Sequence, residues 1–369
     1  MKAFFRAYHV VRMPANAGNE TKEAYFMKFR EFSNQLTKTI WDRVPYLPSR
    51  YVPLRFLELK AAMRSRETTP ILVYHALSWG SENPLVADRI HNISPERFHS
   101  QLSLLKRHFS VLPLDELADL IKAGRLVRGL AAISFDDGYL PTLRTAAAVL
   151  RDLDIPATFF VATKLVETKT FWRDKIRYVI NRGLVRDFLA FAKDCAPVFA
   201  YVHPDSFYSA TKDPAIVNSK LAETVLDQFF EEYGMDVQGL TKDIYCSPEH
   251  LIREGSTNLT YGSHSHSHYV LSSMSKSEQY LEIETAQRIL HDMGLLTSRV
   301  FSIPFGTPRD FNEDTVAILK DLDYLGYVLC AGKGGTDALG KNDGLHRSRD
   351  LVALRRFMPT ENQSFLFGE

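Results

Sequence analysis

The sequence predicts an α/β protein, an incomplete, seven-stranded (β/α) barrel interrupted by a mainly helical insertion. Short apolar runs alternate with stretches of helical length along most of the chain, and this alternation is typical of a parallel sheet covered by helices. Polar residues follow several of the predicted strands, and a barrel collects catalytic groups from the ends of many strands. Neither GxGxxG nor GxxxxGK[ST] occurs, which disfavours an open nucleotide-binding sheet.

The elements before the insertion each have a local signal. The apolar run 70–75 stops at a polar residue, as a buried strand of an α/β core does. Ser94 and Pro95 begin a helix, with serine as the N-cap and proline in the first turn. Further strands are predicted at 110–112, 130–135 and 157–162, and helices at 94–109, 114–122 and 141–153.

The alternation stops after Thr163. Residues 166–258 combine helix-like stretches at 171–181 and 220–232 with loops rich in Pro, Asp and Tyr, so we predict a helical insertion there. Beyond it, strands are predicted at 259–262, 300–303 and 327–330, and helices at 276–293 and 313–322. The predicted domains are an N-terminal helical extension at 1–68, the barrel at 69–352 and a C-terminal tail at 353–369.

Composition limits the classes of partner and compartment. A formal net charge of +1 argues against a nucleic-acid binder, which usually carries a basic excess. No segment has the ~18 apolar residues that cross a bilayer, and the N-terminus is a poor signal peptide. We therefore expect a cytoplasmic protein, with weak peripheral association of residues 1–12 with the inner membrane face as an alternative. The composition leaves the oligomeric state open.

Paired aspartates follow one predicted buried strand. Asp136 and Asp137 come directly after residues 131–135 and precede Gly138. Successive residues of a strand point to opposite faces, but a turn at Gly138 would bring both carboxylates to one side. The alternative is that one aspartate caps the next helix and the other is solvated, because Asp-Gly is common in turns.

Three histidines alternate with serines directly after a later strand, at His264, His266 and His268. A helical turn beginning at His264 would place His264 and His268 about 5–6 Å apart on one face, which suits two ligands of one metal ion. His266 would then point elsewhere. A polar loop that is rich in histidine by chance is the alternative.

Two imidazoles and one carboxylate would leave coordination positions open, as in catalytic metal sites. A bound divalent cation lowers the pKa of a water molecule and polarises a carbonyl. A second, non-ligating carboxylate can accept the proton of that water. Zn²⁺ is favoured by this ligand set, and Co²⁺, Ni²⁺ and Fe²⁺ suit the same ligands.

Three motifs in this order resemble those of the polysaccharide deacetylase family, the NodB-homology domain of carbohydrate esterase family 4. Residues 134–138 (SFDDG) resemble its first motif, T/S-F-D-D-G. Residues 264–268 (HSHSH) resemble its second, H-[ST]-x-x-H, and residues 301–306 (FSIPFG) resemble its third, which ends P-[YF]-G. The resemblance covers about residues 70–349.

The resemblance implies a role for five residues of the site. Asp136 resembles the general base, while Asp137, His264 and His268 resemble the metal ligands. The backbone N–H of Phe305 resembles the donor that stabilises the tetrahedral oxyanion, a function suited to a preorganised N–H group.

Two positions depart from the family pattern. Ser302 stands where many members have the arginine that orients the base. Residues 345–346 do not match the Leu-x-His motif whose histidine protonates the leaving amine. Residues 72–75 (LVYH) resemble a strand of exopolysaccharide deacetylases with a circularly permuted barrel, in which the acid histidine precedes the aspartates. We therefore favour His75 as the general acid, with His346 as the alternative.

The combined prediction is a metal-dependent carbohydrate N-deacetylase. It would remove an acetyl group from an N-acetylated sugar of a surface polysaccharide or of its precursor, with that glycan as its partner. Residues 171–174 (FWRD) resemble a pattern of bacterial members associated with surface-polysaccharide clusters. An O-acetyl polysaccharide esterase and an inactive carbohydrate-binding homologue are the alternatives.

Overall fold

The computed structural model describes residues 69–77, 83, 85–86, 92–125, 127–167, 170–241, 243–255, 258–295, 298–330 and 350–359. The predicted N-terminal extension and His346 lie outside these residues. None of the described helices is long and apolar enough to cross a membrane.

The described chain folds as parallel β-strands with helices between them, which confirms the predicted fold class. The strands are β1 (Ile71–Tyr74), β2 (Ala76–Leu77), β3 (Asn92–Ile93), β4 (Ser110–Val111), β5 (Leu130–Phe135), β6 (Ala157–Val161), β7 (Leu259–Ser263), β8 (Val300–Ser302), β9 (Gly326–Cys330) and β10 (Val352–Arg356). The short strand β4 pairs only with the first residues of β5, and β2 pairs with β3 in a separate two-stranded sheet.

The helices are α1 (Pro95–His108), α2 (Leu114–Lys122), α3 (Leu140–Leu153), α4 (Thr163–Val166), α5 (Trp172–Asn181), α6 (Val185–Cys195), α7 (Phe207–Ala210), α8 (Ser219–Glu232), α9 (Pro248–Glu254), α10 (Lys276–Asp292) and α11 (Glu313–Asp321). Several of them begin at a side-chain cap: the side chain of Ser94 accepts a hydrogen bond from the Arg97 amide, and Ser275 forms a capping box with Glu278.

Seven parallel strands form the barrel, in two hydrogen-bonded sets. One set has the order β1-β5-β6-β7 and the other β10-β9-β8. The sets join where Phe357, directly after β10, pairs with Leu72, through bonds from the Val73 amide to the Phe357 carbonyl (2.9 Å) and from the Phe357 amide to the Ile71 carbonyl (2.7 Å). No ladder of described residues joins β7 to β8, so the barrel is incomplete.

The strand β10 extends past residue 352, the predicted end of the barrel. It begins at Val352 and pairs along its whole length with β9, from Val352 against Gly326 to Arg356 against Cys330. The residues after 352, which we expected to form a tail, therefore begin with a barrel strand. Its apolar run is short and ends in two arginines, which explains why the sequence pattern did not identify it as a buried strand.

The strand alternation divides the barrel residues between two faces. One core cluster collects Ile71, Ala132, Phe160, Val300, Val328 and Leu354 from six strands, together with the buried face of α2. The opposite face of β1, β5 and β6 packs on α1 and α3, through residues such as Leu72, Ile133 and Phe159. Asp136, directly after β5, and Arg356, the last residue of β10, continue the first face.

The helical insertion has its own aromatic core. Trp172, Phe188, Phe199, Phe207 and Phe229 are fully buried in one cluster with Tyr139 and Tyr269. Asp174, at the start of α5, attaches this cluster to the barrel, because its carboxylate accepts hydrogen bonds from the phenols of Tyr139 (3.0 Å) and Tyr245 (2.9 Å). The insertion thus packs next to the carboxyl ends of the strands.

Replacing Asp174 with alanine is expected to lower the free energy of unfolding by about 3 kcal/mol. The change leaves two buried phenol groups without their acceptor, and each unsatisfied buried group costs about 1–3 kcal/mol. Urea unfolding measures the effect. Asp187→Ala removes an exposed aspartate of α6 and is the matched control. Equal stability of the two variants would contradict this account.

Candidate active site

The paired aspartates lie at the end of β5 and face different partners. Asp136 continues the face of Ala132 and Ser134, as the strand alternation requires. At Asp137 the backbone φ angle is +80°, and at Gly138 it is +120°. This turn redirects the chain, so that the Asp137 carboxylate lies beside two histidines of the loop after β7.

The Asp136 carboxylate is bound by an arginine that the sequence analysis missed. Arg356 donates from Nη1 to Oδ1 (2.7 Å) and from Nη2 to Oδ2 (2.6 Å), and both side chains are fully buried. The same guanidinium reaches the hydroxyls of Ser134 (3.2 Å) and Ser302 (2.9 Å). Such two-point pairing fixes the orientation of a carboxylate.

This pairing also determines the charge of Asp136. Burial alone would raise the pKa of the carboxyl group, but the Arg356 guanidinium, with smaller contributions from His264 and His75, holds that pKa below its ordinary value. Asp136 is therefore an ionised carboxylate inside the barrel. The Ser302 hydroxyl adds a further donor to Oδ1 (3.2 Å).

The loop after β7 brings two of its three histidines together without forming the expected helical turn. Residues 264–268 have no helical hydrogen bonding, and the φ angles of Ser265 (+60°) and His268 (+57°) are left-handed. The rings of His264 and His268 nevertheless lie 4.7 Å apart. His266 points elsewhere, as predicted, with Nδ1 2.9 Å from the Thr163 hydroxyl.

Hydrogen bonds from neighbouring elements hold this loop. The Glu282 carboxylate of α10 accepts from the Ser267 amide (2.7 Å), and the Glu282 carbonyl accepts from the His266 amide (3.0 Å). At the start of α4, the Lys164 amide donates to the His266 carbonyl (2.9 Å). The backbone that carries His264 and His268 is therefore fixed on both sides.

Asp137, His264 and His268 form a three-residue cluster whose potential ligand atoms all lie within 4.8 Å of one another. The Nε2 atoms of His264 and His268 are 3.6 Å and 3.5 Å from Asp137 Oδ1. All three residues are buried. Two imidazole nitrogens and one carboxylate oxygen form the donor set of catalytic sites for zinc and similar cations.

The tautomer and the protonation state of the two histidines fit a bound cation. His264 Nδ1 donates to the Ser302 carbonyl (2.8 Å), so its Nε2 carries the lone pair. That buried Nε2 has no hydrogen-bond partner among the described residues. Burial lowers the pKa of His264 and of His268, and for His268 the neighbouring His264 lowers it further. Neutral, converging imidazoles with an unpartnered nitrogen fit a metal ion.

A second group of potential ligands, formed by His75, Asp136 and Cys330, does not fit a metal ion. Both oxygens of Asp136 already accept hydrogen bonds from Arg356, whose positive charge opposes a second cation. Burial also raises the pKa of the Cys330 thiol to about 11, which disfavours the thiolate form that binds metals.

The other two predicted site residues lie at the same end of the barrel. His75 directly follows β1, and its Nε2 is 3.7 Å from Asp136 Oδ2. Phe305 follows β8 and packs edge-on against His268, with ring centroids 4.7 Å apart. No described residue accepts a hydrogen bond from the Phe305 amide. The structure therefore brings all six predicted residues to one region.

Unusual backbone conformations concentrate in this region. A positive φ angle is uncommon for residues other than glycine and often marks functional sites. Seven such residues occur in the described chain, and the three outside the site are aspartates, the residue type that tolerates this conformation well. The four at the site are Asp137, Ser265, His268 and Phe305.

The insertion contributes directly to the site. The ring of Phe171 packs edge-on against His268 (5.1 Å), and Trp172 Nε1 donates to the His268 carbonyl (3.3 Å). A cavity of about 390 Å³ opens beside His75, Asp137 and His268. Its other walls include residues of α5 and α7. Residues 171–174 therefore contact the loop after β7 and also line the adjoining cavity.

Comparisons with known proteins identify the family of this chain. The family model described as "Polysaccharide deacetylase" matches residues 124–327, more than half of the chain, including Asp136, Asp137, His264, His268 and Phe305. The chain belongs to the polysaccharide deacetylase family. His75 and Arg356 lie outside the matched residues. No curated protein sequence matches the chain.

Three solved structures are similar to this chain, and the first of them shares its fold. The Streptococcus pyogenes deacetylase PplD in complex with acetate is 17% identical, with a TM-score of 0.51 over 81% of this chain and 95% of that chain. IcaB from Ammonifex degensii is 16% identical, with a TM-score of 0.46 over 79% of this chain and 92% of that chain. The BpsB deacetylase domain from Bordetella bronchiseptica is 14% identical, with a TM-score of 0.44 over 80% and 97%.

Proposed function

We propose that this polysaccharide deacetylase is metal dependent and removes the acetyl group of an N-acetylated sugar, in a surface polysaccharide or its precursor. The observation that carries the proposal is the division between the two aspartates. Asp137 lies with two neutral histidines, whereas Asp136 is held by Arg356 and Ser302. One carboxylate is thus placed to bind a cation and the other to accept a proton.

Asp137, His264 and His268 would hold the divalent cation, and zinc is the favoured ion for this donor set. When bound, the cation would polarise the acetyl carbonyl and make a nearby water molecule more acidic. Cobalt, nickel and iron suit the same three ligands.

The remaining steps belong to side chains and backbone of this chain. Asp136 accepts the proton of the attacking water at Oδ2, which faces His75 and His264. The Phe305 amide donates to the oxygen that becomes negative in the tetrahedral intermediate. His75 donates a proton to the departing nitrogen. Arg356 holds Asp136 in the orientation that the first step requires.

The position of His75 favours an N-acetyl substrate over an O-acetyl one. An amine must be protonated to leave a tetrahedral intermediate, whereas an alcohol is a better leaving group and depends less on an acid. His75 is partly exposed and lines the cavity beside Asp137, so it can reach a leaving group bound there. The O-acetyl esterase and the inactive carbohydrate-binding homologue are the competing proposals.

Acetate release from paired N-acetylated and O-acetylated glycans tests the proposal, with and without a chelator. We expect release from the N-acetylated member, loss of that activity on metal removal, and its return with Zn²⁺. His268→Ala should lower both metal content and activity, while His203→Ala, an exposed histidine of the insertion, should change neither. Faster release from the O-acetylated member would favour the esterase, and glycan binding by metal-loaded protein without acetate release would favour the inactive homologue.

A further inference from the structure

The cavity beside Asp137 and His268 has one strongly basic wall. Four cationic side chains line it: Arg173 and Arg177 from α5, Lys212 from the chain after α7, and Arg309 from the loop after β8. Three of them surround one aromatic ring. The distances to the centroid of the Tyr208 ring are 4.5 Å for Arg173, 5.2 Å for Arg177 and 5.1 Å for Lys212.

Acidic residues of the same cavity form no ion pair with these three cations among the described residues, although Lys212 acts on the Asp310 carboxylate through space. Among the described residues, no carboxylate lies within ion-pair distance of Arg173, Arg177 or Lys212. Asp213 is paired instead with Arg309 (3.7 Å). Asp310 accepts a hydrogen bond from the Thr307 amide (2.7 Å), and burial raises the pKa of its carboxyl group.

Arg173 is held in place before any ligand arrives. Its side chain is only 5% exposed. Nη1 donates to the Thr211 hydroxyl (2.9 Å) and Nη2 to the Tyr208 carbonyl (3.3 Å). The guanidinium also lies 4.9 Å from the Trp172 ring centroid. The acceptors of both hydrogen bonds are neutral, so Arg173 is held without a direct ion pair, and the Asp174 carboxylate makes only the smallest contribution to its pKa.

The tyrosine at the centre of the group responds to this field. Burial would raise the pKa of the Tyr208 phenol, yet the cations Arg173, Arg177 and Lys212 bring it below the ordinary value. Arg177 Nη2 donates to the Tyr208 hydroxyl oxygen (3.0 Å). The wall therefore stabilises negative charge on a neighbouring oxygen.

We propose that Arg173, Arg177 and Lys212 form an anion-binding subsite. It holds an acidic group of the substrate while the acetylated sugar lies beside Asp137, His264 and His268. The acidic group is the carboxylate of a uronic acid or a phosphate attached to the glycan, since guanidinium groups pair with both. This substrate class rests on the proposed function, because the acetyl group is assumed to lie beside Asp137 and His268.

Calorimetric titration of the full chain with inorganic phosphate and, separately, with glucuronate tests the subsite. The double variant Arg177→Gln/Lys212→Gln should bind at least one probe about tenfold more weakly, because it removes two charge-assisted contacts. The probe that loses affinity identifies the anion. Lys193→Gln removes an exposed lysine of the insertion that does not line the cavity and should leave both affinities unchanged.

If the double variant does not fold, Lys212→Gln alone should weaken binding about threefold. Unchanged affinity for both probes in the folded variant, or an equal loss in Lys193→Gln, would overturn the subsite. The substrate assignment has a separate measurement, the ratio of kcat/KM for acidic glycans to kcat/KM for neutral N-acetylated glycans. This ratio should fall in the double variant because KM for the acidic glycans rises. Probe binding that depends on Arg177 and Lys212 without acetate release from any glycan would retain the subsite and reject the proposed function.

Discussion

Replacing Asp136 with asparagine is expected to reduce acetate release by about 10²–10⁴-fold, the usual contribution of a general base. Asparagine keeps the shape of the side chain but cannot accept a proton from water. Because Asp137, His264 and His268 hold the ion in this proposal, the variant should retain its metal. Steady-state kinetics and metal analysis of the same sample measure both quantities.

The change has a second effect that must be separated from the first. It leaves the buried Arg356 without its carboxylate, and breaking a buried ion pair costs about 3–5 kcal/mol of stability. Activity should therefore be measured below the unfolding temperature of the variant. Acetate release at the unmodified rate would exclude Asp136 as the base. Loss of the metal together with the activity would instead indicate that Asp136 is a ligand.

Replacing Arg356 with serine is expected to reduce acetate release by at least about 10²-fold, since the base loses the group that orients it and keeps it ionised. Without the guanidinium, burial favours the protonated form of Asp136, which cannot accept a proton. Arg355→Gln is the matched control, because Arg355 is next in sequence but points to the other face of β10. We expect it to keep most of the activity.

Moving the arginine from β10 to position 302 of β8, on the other side of β9, gives a sharper result. The Ser302 hydroxyl is 3.2 Å from Asp136 Oδ1 and 2.9 Å from Arg356 Nη2. The side chains of Ser302 and Arg356 therefore bind the same carboxylate. The variant Ser302→Arg/Arg356→Ser should recover part of the activity that Arg356→Ser alone loses. A double variant no better than the single one would show that the guanidinium acts only from β10.

The parts of the site that the sequence predicted are those with local signals. The aspartates at the end of β5 and the histidines after β7 each occupy a few consecutive residues, so their spacing alone suggested a shared metal site. The prediction of a helical turn at His264 was wrong. The left-handed residues Ser265 and His268 and the hydrogen bonds to Glu282 give the loop a different conformation. Neither feature is visible in the histidine spacing.

The parts that the sequence could not predict depend on strand pairing between distant segments. Arg356 and Asp136 are 220 residues apart, and only the register of β10 beside β9 and β1 places them together. The available signal was a short apolar run at 351–354 followed by two arginines. The basic wall was also missed, because helix packing within the insertion, which has no signal in the sequence, brings residues of α5 next to the chain after α7.

The closing strand β10 also determines which pieces of the chain can be studied in isolation. A fragment trimmed to the residues that match the family, 124–327, would keep the three proposed metal ligands but omit both His75 and Arg356. A folded fragment of this kind should still bind a metal ion but should release no acetate. The smallest portion worth expressing for enzymology thus runs from before β1 to beyond Phe357, where the two ends of the barrel meet.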